Sequence, residues 1–271
     1  MLRNSPLLRS LTFTDVAAIK KTVRKKRANS NSSNSKTQKF DRVLVVSAHP
    51  DDPDFGSGGT IAKLVKDGSR VTYVIVTDGS QGGEDPKQKD SELIAIRQKE
   101  QKAAARVLGV NKVEFLGYKD GHLSPDLKLR HDIVRMIRKH KPELVITHLP
   151  GRVLDAPMGG SHPDHLAVGE ATMAAVYPDS RNPRAFRGLL KEGLQPHEVK
   201  EVWIPFWTSG DHLVDISSTL DQKFAALRKH KSQVAKPGRE WDFEKFMRKR
   251  HREVGRKGGY RYAESFKRIT V

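Results

Sequence analysis

Residues 42–60 constrain the fold of this chain more than any other stretch. They open with an apolar, β-branched run at residues 43–46, which is typical of a short strand buried on both faces of a sheet. The strand must end at Pro50, because proline cannot donate a hydrogen bond to a neighbouring strand. The His-Pro-Asp-Asp segment at residues 49–52 is therefore predicted to lie at the carboxyl end of a central strand. Open α/β sheets form their ligand crevices at that edge.

Strand-like and helix-like patterns alternate along residues 41–271, which predicts a single α/β domain. Short apolar runs indicate strands at residues 43–47, 71–77, 113–116, 144–147 and 201–207. Apolar residues at helical spacing indicate helices at residues 60–67, 92–108, 127–140, 165–176 and 217–231, and a last one around residues 240–251. This order predicts a Rossmann-like, mostly parallel sheet with helices on both faces. The glycine-rich residues 56–59 are predicted to form a turn that allows close packing of helix on strand.

Residues 1–40 differ in composition from the predicted domain. They carry ten Lys and Arg residues but only one acidic residue, Asp15, and residues 29–35 consist of Ser and Asn. Such a segment lacks the apolar surface needed to fold on its own, so we predict a basic, flexible N-terminal extension. An organellar transit peptide and an electrostatic anchor to nucleic acid or membrane are the alternatives.

The overall composition narrows the class of protein. The chain has no cysteine, which excludes disulfides and thiolate metal sites. No apolar stretch approaches the roughly 18–20 residues that span a bilayer, and no secretory signal is recognisable, so we expect a cytoplasmic protein. The net charge of +18 favours anionic partners.

Two His-Pro-Asp segments are the candidates for chemistry, at residues 49–52 and within Ser-His-Pro-Asp-His at residues 161–165. A single copy is more often the start of a helix, with the aspartate accepting from backbone N–H groups. Two copies at element boundaries of an α/β sheet, in a chain without cysteine, favour a metal site instead. Histidine and aspartate together suit a borderline cation such as Zn²⁺, although Fe²⁺ can use the same ligands.

A catalytic zinc site uses three protein ligands and keeps one position open for water. His49 and Asp52 can come from one turn, and His165 can reach in from the first turn of the later helix. Asp51 then remains as a carboxylate beside the metal water, where it can act as a general base.

The second segment offers two further catalytic candidates. His162 could stabilise the oxyanion or protonate the leaving group. Asp164 could orient His162 and fix its tautomer, as carboxylates do for histidines in metal sites. This set of groups suits hydrolysis of an amide or an ester.

These motifs resemble those of the LmbE/PIG-L-like family of zinc-dependent deacetylases, whose members remove acetyl groups from N-acetylglucosaminyl compounds. The resemblance rests on A-H-P-D-D-P-D-F-G-S-G-G-T at residues 48–60, T-D-G at 77–79, R-Q-K-E at 97–100, G-Y-K-D-G at 117–121, S-H-P-D-H at 161–165, D-I-S and A-L-R-K-H-K-S-Q within 215–233, and Y-A-E-S-F at 262–266. It implies a Rossmann-like fold over residues 41–268, with His49, Asp52 and His165 as zinc ligands, Asp51 as the base, and His162 as the group that stabilises the tetrahedral intermediate.

The resemblance also implies residues near the substrate. Arg97 matches a position associated with substrate binding, Asp120 lies in a motif near the pocket, and His230 lies in a motif near the active site. Asp54 departs from the family pattern, which has Ala-Glu where this chain has Pro-Asp, so its carboxylate is on a shorter arm in or near the pocket. The loop at residues 149–160 follows no family pattern and could form a lid, which leaves the substrate open.

The sequence thus predicts a metal-dependent hydrolase that removes acetyl from an N-acetylglucosamine-type sugar conjugate. The expected partner is a small-molecule or lipid-linked N-acetylated amino sugar. A homo-oligomer and contact with a membrane surface through basic segments are further possibilities, and nucleic acid is not expected. Two alternatives stay open: a hydrolase of another amide, ester or thioester, and a basic nucleic-acid or anionic-surface binding protein on a degenerate enzyme fold.

Overall fold

We describe residues 39–154, 161–206, 210–235 and 242–271 of the protein from a computed structural model. Lys39–Val271 forms one compact unit. The strands are β1 (Arg42–Ser47), β2 (Arg70–Thr77), β3 (Lys112–Tyr118), β4 (Leu144–Thr147), β5 (Glu201–Pro205), β6 (His212–Asp215) and β7 (Ala263–Thr270). The helices are α1 (Asp52–Lys66), α2 (Asp90–Leu108), α3 (Leu127–His140), α4 (Pro163–Ala174), α5 (Gly188–Lys191), α6 (Leu220–Leu227), α7 (Lys231–Val234) and α8 (Phe243–Gly258), with a π-helical turn at Ala175–Asp179. The extension predicted at residues 1–40 lies outside the described residues except for its last two, and stays a prediction.

The strands form one seven-stranded sheet in the order β3-β2-β1-β4-β5-β7-β6. Strands β1 to β5 pair in parallel, and β7 pairs antiparallel with β5 and β6. The predicted α/β fold with a mostly parallel sheet is confirmed. The chain leaves β1 towards β2 and β3 and returns to β4 on the other side, so a crevice forms beyond the carboxyl ends of β1 and β4.

Both faces of the parallel sheet are buried. In β1, Val43 and Val45 belong to a core packed under α1, α2, α6 and α8. Leu44 and Val46 belong to a second core under α3 and α4 on the opposite face. This alternation explains why Val43–Val46 of β1 are all apolar, since side chains on both faces of a doubly covered strand are buried.

Helix α1 begins eight residues earlier than the sequence predicts. The glycine-rich residues 56–59 lie inside the helix instead of forming a turn before it, and the helix is kinked at Ser57, where φ is −146° and ψ is 15°. A Cβ on Gly59 would lie 2.9 Å from atoms of Ile216, so only glycine allows this approach. Close packing is the reason for the glycine, as predicted, but the neighbour is Ile216 after β6 instead of a strand.

A buried ion pair repairs the backbone hydrogen bonds that the kink breaks. Lys223 on α6 donates to the carbonyl of Phe55 at 2.7 Å and to the Glu264 carboxylate at 2.6 Å. Glu264 on β7 in turn accepts from the N–H groups of Gly59 at 3.0 Å and Thr60 at 2.7 Å. The carboxylate therefore caps a second helix start in the middle of α1.

The C-terminal third differs from the prediction in three further ways. The helix predicted at residues 217–231 is two helices, α6 and α7, and the helix predicted around 240–251 runs from Phe243 to Gly258. Strand β6 has only four residues and was not predicted, and the chain ends in a further strand, β7, that pairs with it. Among the described residues, no helix is both long enough and apolar enough to cross a membrane.

Candidate metal centre

The predicted ligand segments meet in the crevice between β1 and β4. Residues 48–52 follow β1, His148 follows β4, and His162 is the N-cap of α4. The carboxyl ends of adjacent parallel strands share one edge of the sheet, so these segments are neighbours in space although about 100 residues separate them.

Three predicted ligands bring their donor atoms together. Nδ1 of His49 lies 3.3 Å from Oδ2 of Asp52 and 3.2 Å from Nε2 of His165. The same His165 Nε2 lies 3.2 Å from Oδ1 of Asp52. Each pair among the three residues is therefore in contact through potential ligand atoms.

These spacings fit a tetrahedral zinc site. Bonds of about 2.0–2.2 Å to zinc place neighbouring ligand atoms of a tetrahedron about 3.3–3.6 Å apart. The observed separations of 3.2–3.3 Å lie at or just below the short end of that range, with Oδ2 of Asp52 facing His49 and Oδ1 facing His165. The donor set of two imidazoles and one carboxylate is also one that zinc uses in catalytic sites.

The contacts of His49 favour the tautomer that a metal ligand needs. Its Nε2 lies 3.1 Å from Oδ1 of Asp120 and 3.2 Å from Oδ2 of Asp164. A proton on Nε2 shared with these carboxylates leaves the lone pair on Nδ1, which is the nitrogen facing Asp52 and His165. The carboxylate of Asp164 is held in place by N–H groups of Gly121 at 2.7 Å and Leu123 at 3.2 Å.

The electrostatics of the crevice favour a cation. Burial alone would lower the pKa of His49, but Asp52, Asp120 and Asp164 together raise it to about 12. Burial alone would raise the pKa of Asp52, but His165 and His49 hold it well below its usual range. A site that draws a second proton onto a buried imidazole has negative potential where the three ligand atoms meet.

Asp51 has an unusual backbone for a residue with a side chain. Its φ is 95°, in the left-handed half of conformational space, and such a conformation costs about 1–3 kcal/mol. Burial, partly offset by Arg97, raises the pKa of its carboxyl to about 6. A carboxylate that gains a proton near neutral pH is suited to general base catalysis.

Asp164 is placed differently from its prediction. Its carboxylate contacts His49 and not His162, because α4 begins directly after His162 and places Asp164 in its first turn. The backbone N–H of Asp164 instead donates to Nδ1 of His162 at 3.2 Å. Because Nδ1 accepts this bond, neutral His162 carries its proton on Nε2. The expected support of the His162 tautomer thus comes from the backbone, and the carboxylate supports His49.

The four residues predicted near the substrate are largely buried. The carboxylate of Asp120 contacts Nε2 of His49, as described above. Arg97 donates to the backbone carbonyls of Pro50 and Gly79, each at 2.7 Å. Asp54 is fully buried, and His230, which is 1% exposed, donates to it at 2.7 Å. Substrate binding by these residues stays a prediction, and the contacts they make here favour support of the segment at residues 49–52.

Sequence reasoning missed two residues of the site. His148 stacks on His165 with ring centroids 4.1 Å apart, and its Nε2 accepts from the N–H of Ala48 at 3.0 Å. The same Nε2 lies 3.4 Å from Oδ2 of Asp52, so His148 belongs to one cluster of candidate ligand atoms with Asp52 and His165. Its position directly after a buried strand beside β1 was the available signal. Gln101, the second residue, has no such signal because it is one of many polar residues on α2.

Comparison with known proteins identifies the family. Residues 44–176 match the model of the PIG-L family, described as GlcNAc-PI de-N-acetylase. A diacetylchitobiose deacetylase from Thermococcus kodakarensis is 36% identical over 227 residues, which cover 83% of this chain and 82% of the relative. The chain belongs to the PIG-L family. A probable N-acetyl-alpha-D-glucosaminyl L-malate deacetylase 2 from Bacillus anthracis is 31% identical, over 71% of this chain and 81% of the relative.

Solved structures of the PIG-L fold agree with this assignment. The N,N'-diacetylchitobiose deacetylase from Pyrococcus horikoshii, solved with its inhibitor MPG, has a TM-score of 0.79 and 32% identity. The match covers 96% of this chain and 93% of that chain. A 4-carboxy-2-hydroxymuconate hydratase from Pseudomonas putida, at 22% identity and a TM-score of 0.69 over 85% of this chain and 96% of its own, shares the fold alone.

Proposed function

We propose that the protein is a zinc-dependent N-deacetylase that hydrolyses the acetamide of an N-acetylglucosamine-type sugar. The observation that carries this proposal is the convergence of His49, Asp52 and His165, whose donor atoms lie 3.2–3.3 Å apart. The membership of the PIG-L family supports it, because the relatives described above are named as deacetylases of N-acetylated amino sugars.

The three ligand residues and their supports define the metal centre in this proposal. A zinc ion held by His49, Asp52 and His165 would supply a Lewis acid for the acetamide carbonyl oxygen and lower the pKa of a water molecule towards neutrality. Asp120 and Asp164 keep the proton of His49 on Nε2, so that Nδ1 presents its lone pair.

Two residues handle the protons and the charge of the reaction. Asp51 takes a proton from the water that attacks the acetamide carbon. His162 stabilises the negative charge on the carbonyl oxygen through its Nε2–H, which is the protonated nitrogen of its neutral form. The carbon–nitrogen bond then breaks, and the proton held by Asp51 passes to the amine, giving acetate and a free amino sugar.

The substrate class that we propose is a short N-acetylated glucosaminyl compound, with N,N'-diacetylchitobiose as the first candidate. The support is that the relative with 36% identity over most of this chain is named as a diacetylchitobiose deacetylase. The aglycone is less well supported, because another relative of 31% identity is named for a malate conjugate.

The test is release of acetate and free amine from a panel of substrates by the full chain. The panel contains N-acetylglucosamine, N,N'-diacetylchitobiose, N-acetylglucosaminyl malate and N-acetylglucosaminyl inositol, and zinc content is measured on the same preparation. We expect one of these to be hydrolysed, loss of activity on chelation, and recovery when zinc is returned. If iron restored more activity than zinc, the proposed metal would be wrong and the proposed reaction would stand.

A different result would contradict the proposal. Full zinc occupancy together with no release of amine from any member of the panel would exclude N-acetylglucosaminyl deacetylation. Hydrolysis of an acetate ester or thioester by the same preparation would then identify the bond. Salt-dependent binding of nucleic acid, without metal or hydrolysis, would support the degenerate-enzyme alternative.

Contact with an anionic surface is a further part of this proposal, and α8 is the element that supports it. The helix carries seven Lys and Arg residues against two Glu residues along its 16 positions. Phe246 on the same helix is 53% exposed. Such a basic face suits an anionic lipid surface near which a lipid-linked amino sugar would be found.

A further inference from the structure

The peptide bond between Pro50 and Asp51 is held at both ends by one helix. Its carbonyl accepts a hydrogen bond from Arg97 at 2.7 Å, and its N–H donates to Oε1 of Gln101 at 2.7 Å. Arg97 and Gln101 are four residues apart on α2, so one face of the helix presents both side chains on successive turns. The orientation of this peptide plane is therefore fixed from two sides.

The fixed plane explains the backbone of Asp51. The value of φ at Asp51, 95°, is set by rotation about the bond that joins this peptide to its Cα. A residue with a side chain leaves such a conformation unless surrounding groups hold it. The two hydrogen bonds from α2 supply that restraint, and they set the direction in which the Asp51 side chain leaves the backbone.

Gln101 can serve this purpose because its own amide cannot turn over. Its Nε2 donates to Oδ2 of Asp54 at 2.8 Å, and a carboxylate can only accept. Asp54 is held in turn by Tyr73, which donates at 3.0 Å, and by His230. Since Nε2 must face Asp54, Oε1 must face the N–H of Asp51.

The whole chain of contacts is shielded from water. Gln101, Asp54 and Tyr73 are fully buried, and His230 is 1% exposed. Buried polar groups of this kind are costly unless every partner is satisfied, and here the hydrogen bonds run without a break from His230 to the backbone of Asp51. None of them involves an atom that faces the proposed metal.

We propose that Gln101 is a positioning residue for Asp51, acting with Arg97 as a clamp on the Pro50–Asp51 peptide. The inference rests on the proposed function, in which Asp51 carries the proton. Asp52 does not need the clamp, because its own carboxylate accepts from the N–H of His49 at 2.7 Å. Loss of Gln101 therefore misplaces the base and leaves the metal ligands in position.

The first test replaces Gln101 by methionine, which keeps the length of the side chain and removes both hydrogen bonds. We expect kcat to fall about 10- to 100-fold, as misplacement of a reacting group does, with KM within about twofold of wild type and zinc content unchanged. Gln98→Met is the matched control, since Gln98 lies half-exposed on the same helix, and it should leave kcat unchanged. A folded Gln101→Met protein with wild-type kcat, or one in which zinc is lost, would overturn the proposal.

A double-mutant cycle separates this inference from the proposed function. If Gln101 acts through the Asp51 carboxylate, Gln101→Met should have little further effect on kcat in a chain that already carries Asp51→Asn. An equal loss in both backgrounds would overturn the clamp. Wild-type turnover of Asp51→Asn alone would instead overturn the proposed role of Asp51, whatever Gln101 does.

A charge swap tests the link to Asp54 and remains informative if Gln101→Met does not fold. Gln101→Glu places two buried carboxylates against each other and should lower kcat about as much as Gln101→Met. Adding Asp54→Asn restores a donor–acceptor pair between the two positions, with the carboxylate still accepting from the N–H of Asp51. Because Oδ2 of Asp54 also accepts from His230, neutral His230 must then move its proton to Nδ1 and accept at Nε2. We expect the double variant to recover most of the lost kcat. A folded double variant without recovery would exclude Gln101 as the residue that links Asp54 to Asp51.

Discussion

The two His-Pro-Asp segments of this chain have the same three residues in two different relations to a helix. Helix α1 has Asp51, the third residue, as its N-cap, whereas α4 has His162, the first residue, as its N-cap. In the first segment the aspartate thus stands outside the helix with φ of 95°. In the second, Asp164 lies in the first turn and its carboxylate is buried against His49. The helix start, and not the tripeptide, decides what each residue can do.

The shift also changes which histidine is available to a metal. His49 lies two residues after the end of β1, and its Nδ1 faces Asp52 and His165. Nδ1 of His162 accepts a hydrogen bond from the backbone of α4. The next histidine, His165, contacts Asp52 instead. Each segment therefore offers one proposed ligand at the residue after its aspartate, Asp52 in one case and His165 in the other. Only the first segment also offers its leading histidine as a proposed ligand.

The largest expected effect comes from breaking the second segment at His165. His165→Ala removes one of three proposed ligands, so we expect zinc affinity to fall more than about a hundredfold and turnover to fall below about a thousandth of wild type. Bound zinc and amine release measure the two effects. His131→Ala, in a partly exposed histidine on α3, is the control and should change neither. Wild-type zinc binding by His165→Ala would remove this residue from the ligand set.

The next effect compares the third residues of the two segments, beginning with Asp51. Asp51→Asn keeps the shape of the side chain and removes the base, so we expect kcat to fall about 10²- to 10⁴-fold with zinc retained. The exposed Asp67 at the end of α1 provides the control Asp67→Asn, which should be close to wild type. Loss of zinc with no change of kcat at saturating zinc would reverse the roles assigned to Asp51 and Asp52.

The corresponding substitution in the second segment should weaken metal binding and leave proton transfer in the reaction unchanged. Asp164→Asn removes the negative charge of the carboxylate that lies beside Nε2 of His49. We therefore expect zinc affinity to fall about 10- to 100-fold. At saturating zinc kcat should be near that of wild type, which competition with a chelator and titration with zinc would measure. If kcat stayed low at saturating zinc, Asp164 would have a role in the reaction itself.

The buried pair of Lys223 and Glu264 supports only the helix that follows the first segment. Breaking this pair should have a smaller effect on activity and a larger effect on stability. Glu264→Gln leaves Lys223 buried without a charge partner, which should lower the free energy of unfolding by about 3–5 kcal/mol. Glu253→Gln breaks a surface pair on α8 and should cost about 1 kcal/mol or less. Chemical denaturation of both variants, alongside turnover at saturating zinc, compares them.

The pH dependence of the same variant checks its cause. Burial alone would raise the pKa of Glu264, but the charge of Lys223 lowers it below its ordinary value of 4.5. A carboxyl whose pKa is lower in the folded state stabilises the fold above the unfolded value, and this stabilisation is lost as the pH falls through the folded value. The difference in unfolding free energy between wild type and Glu264→Gln should therefore shrink below about pH 4.5. A difference that is constant from pH 7 to pH 3 would show that the charge of Glu264 is not the cause.

Much of this arrangement could be predicted because it depends on short, local patterns of residues in the sequence. The apolar run of β1 and the Pro50 that ends it fix where the first segment lies. The alternation of strands and helices fixes which edge of the sheet the second segment joins. The proximity of His49, Asp52 and His165 follows from these two facts, although their role as ligands stays a prediction.

The rest could not be predicted, because it depends on contacts between distant parts of the chain. The sequence of residues 56–59 is typical of a turn. These residues lie in α1 because Lys223 and Glu264 supply the hydrogen bonds that the kinked helix lacks. Gln101 resembles any polar residue of a helix, and only the fold shows that it faces Asp51. The start of α4 was misplaced by two residues, which moved the Asp164 carboxylate from His162 to His49.

The contact between Glu264 and the backbone of α1 joins residues about 205 positions apart in the chain. The helix that starts with Asp52 is therefore complete only when β7, the final strand of the sheet, has been synthesised and has paired with β5. Until then the N–H groups of Gly59 and Thr60 lack the Glu264 carboxylate as their acceptor. We therefore expect the proposed metal centre to be completed only after the last strand has been synthesised, although His49 leaves the ribosome early.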